Sequence, residues 1–143
     1  MQILVLTHVF ATLFMVGLIW FVQIVHYPLF AHVGTSEFKV YEELHQRLTT
    51  WVVAPVMLVE LATALALVKS APTEWTTLVW GGLGLALLIW LVTATLSVPA
   101  HKTLAVEFST DAYRKLVSTN WIRTIAWTVR GMLVLFLAYR CMG

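Results

Sequence analysis

The chain has 143 residues, of which 60% are hydrophobic and only 11% charged, with a formal net charge of +2. A water-soluble domain carries about 25% charge, so the composition excludes an ordinary soluble protein. The small positive balance sits mostly in loops and argues against a nucleic-acid partner. The single Cys141 excludes an internal disulfide and any cysteine-based metal motif.

Four segments approach or exceed the roughly 18 to 20 apolar residues that cross a bilayer, which predicts an all-α, four-transmembrane-helix bundle. Because these spans consume most of the chain, residues 1–143 read as one integral membrane domain. The first span covers residues 3–25. It lacks a basic leader and an Ala-x-Ala cleavage pattern, so it reads as a retained span. It stops at His26-Tyr27-Pro28, because proline disfavours helix at the residue before it. A loop around Gly34 follows.

Residues 36–50 then turn amphipathic. Phe38, Tyr41, Leu44 and Leu48 recur at helical spacing, with Glu37, Lys39, Glu42, Glu43 and Arg47 around them. Ser36 is the expected N-cap. This short helix either lies at the interface or feeds directly into span 2, residues 51–68, where Pro55 sits near the start. Span 3 covers residues 76–98, with Gly81, Gly82 and Gly84 offering close helix contact. Pro99 ends it. Ser109-Thr110-Asp111 starts another amphipathic helix leading to span 4, residues 121–139. Most of the tryptophans and tyrosines near span ends form the aromatic belt of a membrane protein. No internal repeat is legible in the residues.

Four spans put both termini on one side. The loops after spans 1 and 3, with their adjoining helix ends, carry Lys39, Arg47, Lys102, Arg114, Lys115 and Arg123, against Lys69 and Arg140 on the termini side. Lysine and arginine concentrate in cytoplasmic loops. The expected placement is therefore the cell inner membrane, with both long loops cytoplasmic.

Glu60 and Arg130 are each the only charge deep inside a span, and each lies nine residues after a tryptophan, Trp51 and Trp121. They should share one depth. A charge at mid-membrane costs about 2.5 to 3.5 kcal/mol, so a structural ion pair between them is the simplest offset. Polar residues fall on stripes leading towards this pair. Asn120, Arg123, Trp127 and Arg130 form one, and His45, Thr49, Glu60 and Thr63 belong to another. Gln23, His26 and Tyr27 cluster on span 1, while Thr93 and Ser97 lead to His101. The expectation is a polar funnel opening on the loop side and closing near Glu60 and Arg130.

Within that funnel, His26, His45 and Arg123 are the candidate catalytic residues. A histidine beside a carboxylate or arginine can move protons, and Arg123 can hold an anionic or enolic oxygen. Gln23, Tyr27, Asn120, Trp121, Trp127 and His101 are the candidate substrate-binding residues. The first reading is a protein that binds or converts a lipophilic small molecule (a quinone, aromatic polyketide, terpenoid or lipid), with oxidoreductase or isomerase chemistry open to it. A second is a haem or transition-metal protein using His26, His45 and His101. A third is a structural or accessory subunit of a larger membrane complex or homo-oligomer.

The runs from Trp20 to Pro28 and from Asn120 to Arg130, with the turn Pro99-Ala-His101, resemble those of small, uncharacterised bacterial four-helix membrane proteins. In size and span count the chain is also similar to the anthrone-oxygenase-like membrane family, which is linked to oxidation of aromatic polyketides. That resemblance implies an oxidative role on a flat lipophilic substrate, and no functional residue of the family is carried over to a position here.

Overall fold

The computed structural model describes residues 1–142. Four long helical rods make up the fold: α1 (Gln2–Phe30), α2 (Thr35–Ser70), α3 (Thr73–Val106) and α4 (Thr110–Met142). No strand occurs among the described residues. All four rods are long and apolar enough to cross a membrane. Their outward side chains are apolar too: Ile3, Phe10, Trp51, Leu91 and Ile125 are all exposed. This is the surface expected against lipid, where every backbone group must be satisfied inside its own helix.

The rods follow one another around the bundle, so α1 packs on α2 and α4, and α3 packs on the same two. Three apolar layers fill the axis. Val5, Leu67, Trp75 and Leu137 pack near the termini, and Met15, Met57, Ile89 and Trp127 at the middle. Tyr27, Phe30, Phe38 and Leu116 close the loop end.

The amphipathic stretches expected in the loops are helical and run without a break into spans 2 and 4, so α2 has 36 residues and α4 has 33. At 1.5 Å per residue α2 is about 54 Å long, well over the about 30 Å hydrocarbon core. Its polar first half therefore extends past the apolar run that begins at Trp51. Gly34, not Ser36, caps α2. Pro55 lies well inside it, where it removes one backbone bond. At α4 the expected start holds: the Ser109 hydroxyl accepts the Ala112 N–H at 3.3 Å.

Prolines shape α1 and α3 alike. Each rod contains one π-helical stretch, Val22–His26 in α1 and Thr93–Ser97 in α3. Each stretch is followed two residues later by proline, Pro28 or Pro99. A proline has no N–H and crowds the carbonyl four residues back, and a widened turn absorbs both effects without breaking the rod.

The glycines act differently from expectation. Gly81 and Gly84 are exposed, and a side chain at either would meet nothing within 4 Å. The close approach is at Gly131, where an added Cβ would lie 3.1 Å from Val16 and 3.6 Å from Leu13. This contact brings α4 against α1.

Candidate metal and ligand site

The proline-linked turns of α1 and α3 aim polar side chains at the first half of α2. There Glu42 and His45 stand one helical turn apart. Glu42 is fully buried. Its Oε1 accepts from His101 Nδ1 at 2.5 Å and from the Gln46 amide at 3.2 Å, while its Oε2 is buried without a partner. Gln46 also donates to the His101 carbonyl at 3.1 Å, tying α2 to α3. Glu42, His45 and His101 each offer a ligand atom, all within 4.8 Å of one another.

Around these three lies a shell of polar contacts. Nδ1 of His45 is 2.8 Å from Nε2 of His26 and 3.1 Å from the Thr49 hydroxyl. Nε2 of His101 is 3.0 Å from the Tyr27 hydroxyl. With Nδ1–H of His45 donating to His26, Nε2 of His45 keeps its lone pair. His101 donates its Nδ1–H to Glu42, so its Nε2 accepts from the Tyr27 hydroxyl, and loss of the Nδ1 proton would leave a ligand lone pair beside the Glu42 carboxylate. Such outer partners fix the tautomer of ligating histidines. Phe30 packs edge-on against His26, His45 and His101 and backs the cluster with an apolar ring.

In front of the cluster is a cavity of about 260 Å³. His45 and Thr49 from α2, Tyr27 from α1, Ser97 and His101 from α3, and Arg123 from α4 form its polar wall. Met15, Leu18, Ile19, Val53, Met57 and Trp90 line the rest. The exposed Thr50 and Val98 mark where it meets the surface between α2 and α3.

Of the residues expected from the sequence, His45, His101, Tyr27 and Arg123 line this cavity. His26 stands one hydrogen bond behind it. Gln23, Asn120, Trp121 and Trp127 are elsewhere. The Asn120 amide donates to Gln23 at 2.8 Å and Gln23 donates to the Val117 carbonyl at 3.3 Å, a buried clasp between α1 and α4. Trp121 lies at the surface, edge-on to Trp20 at 5.7 Å.

Glu60 and Arg130 pair as expected, across the bundle axis from α2 to α4. Arg130 Nη2 and Nε both lie 3.0 Å from Glu60 Oε1, and Trp127 Nε1 donates to Oε2 at 3.1 Å. The Gly82 carbonyl accepts from Arg130 Nη1. The pair is not the funnel floor, however. The apolar layer of Met15, Met57 and Trp127 closes the cavity first, and neither charged residue lines it.

Glu42 is the functional candidate that reading the residues for their faces passed over. Its signal was present as Glu42-Glu-Leu-His45, the Glu-x-x-His spacing that puts a carboxylate and an imidazole on one helix face for metal binding. No family model matches the chain, and no curated protein or solved structure matches it.

Proposed function

We propose that this integral membrane protein binds one divalent first-row transition metal ion between Glu42, His45 and His101, and that it converts a lipophilic small molecule held in the adjoining cavity. The observation that carries this reading is the convergence of a carboxylate buried behind the cavity wall with two imidazoles, from α2 and α3, that line it. Two imidazoles and one carboxylate are the donor set of hydrolytic zinc sites and of non-haem iron sites, both of which keep open positions for substrate. The free Oε2 of Glu42 has no other partner, and a cation would take the place of the proton shared by Glu42 and His101. Haem suits the group less well, because its axial ligands must stand on opposite faces of a ring.

The test is purification in a mild non-ionic detergent without chelator, followed by elemental analysis. One iron or zinc per chain is expected, falling below a tenth of that in Glu42→Gln and in His101→Ala. Metal-free wild-type protein that gains neither metal nor thermal stability on titration with Fe(II) or Zn(II) would sink the metal reading.

A second reading rests on the hydrogen-bonded series Glu42, His101, Tyr27. Without metal, this series delivers or removes a proton at the Tyr27 hydroxyl, on the cavity wall, as general acid–base chemistry requires. Turnover that survives removal of metal by a chelator, and is lost in Tyr27→Phe, distinguishes it.

A further inference from the structure

Arg123 is used by neither the metal group nor the Glu60–Arg130 pair. It is 8% exposed, yet no carboxylate lies within ion-pair distance of it among the described residues. Nη1 donates to the Ser97 hydroxyl at 2.9 Å, the Tyr27 hydroxyl lies beside the group, and the guanidinium carbon is 5.4 Å from the Trp127 ring. Nε is buried with no acceptor. No aspartate or glutamate lines the cavity that Arg123 faces. A buried charge without a counter-charge costs several kcal/mol, and here every acceptor in reach is neutral. The fork of a guanidinium matches the two oxygens of a carboxylate.

We propose that Arg123 is the anchor for the anionic head of an amphiphilic ligand, a monocarboxylate whose apolar stem fills the space between Met15, Met57 and Trp90. The cavity volume lies just under the range of about 300 to 1,000 Å³ common for small-molecule sites. The stem is therefore a single ring or a medium-length acyl chain, not a polycyclic or a full phospholipid. This deepens the reading above, since it assigns the substrate class of the same cavity, but it does not depend on which metal is held. The anion enters as the counter-charge that the fold leaves out, and Ser97 keeps the guanidinium turned towards it.

The experiment is calorimetric titration of the purified protein in dodecyl maltoside with sodium octanoate, benzoate, and the neutral isosteres octanol and benzyl alcohol. Metal content is measured on the same samples. Wild type is expected to bind at least one of the anions at least tenfold more tightly than its alcohol. Arg123→Gln is expected to lose that preference while keeping its metal. Equal affinity of wild type for acids and alcohols overturns the proposal, and so does an undiminished preference in Arg123→Gln. The comparison within wild type needs no variant, so a poorly folding Arg123→Gln does not spare the idea. An anion preference in protein that neither holds metal nor takes it up on titration with Fe(II) or Zn(II) retains the anchor and removes the metal reading. Stoichiometric metal without anion preference does the reverse.

Discussion

At the residue scale, burial without water decides what each polar side chain must do. Glu60 and Arg130 show this most directly. Each is almost fully buried, and each holds the other's charge together with Trp127 and Gly82 as further hydrogen-bond partners. Removing one member of such a pair leaves a naked charge and costs about 3 to 5 kcal/mol, whereas replacing both with apolar groups often costs far less. Glu60→Gln and Arg130→Met should each lower the midpoint of denaturation in sodium dodecyl sulfate strongly. The double variant should recover part of the loss. A double variant no more stable than the worse single one would show that the pair does more than cancel itself. The pair was legible in the sequence because two isolated charges stood at one depth. Glu42 was legible only as half of a Glu-x-x-His spacing on an amphipathic stretch with several acidic residues, and packing against α3 is what buries it while Glu37 and Glu43 stay exposed.

At the element scale, the lengths and order of the helices followed from apolar runs and prolines, while their close contacts did not. Three glycines clustered in span 3 promised an intimate helix pair, yet two of them face outward. The lone Gly131 carries the contact, because it falls on the face of α4 that meets Val16 and Leu13. Which face a glycine occupies depends on the neighbours, and a single helix cannot report it. Association in lipid depends on such packing. Gly131→Ala should therefore be tolerated if Val16 yields by a few tenths of an ångström, since the Leu13 contact is already ordinary packing. Gly131→Val should overpack the α1–α4 seam and cost about 1 to 3 kcal/mol, read in the same denaturation assay. A Gly131→Val protein as stable as wild type would mean that the seam is looser than the 3.1 Å approach implies. The π-helical turns were likewise hidden: proline marks where a helix is disturbed, but the sequence of α1 alone reads equally well as a stop at His26.

At the scale of the whole molecule, the excess of lysine and arginine around the loops at residues 31–34 and 107–109 predicts that those loops face the cytoplasm. In a Cys141→Ser background, a cysteine placed at Ser36 should resist a membrane-impermeant maleimide in intact spheroplasts and react after permeabilisation. One placed at Thr73 should react at once. The opposite pattern would invert the orientation and open the cavity's polar end to the outside.

The two hairpins share one plan: a π-turned, proline-marked rod is followed by a rod with its buried charge nine residues past a tryptophan. Only the sign of that charge differs, Glu60 in the first and Arg130 in the second. Two copies of the first hairpin, arranged as these hairpins are, would set carboxylate against carboxylate on the dry axis. Two copies of the second would oppose guanidinium to guanidinium. Either self-assembly is repelled at its centre, and only the mixed couple is neutral. The halves are thus obligate complements, and a chain cut in the short connection between Ser70 and Thr73 should reassemble from its fragments as a heterodimer and in no other combination.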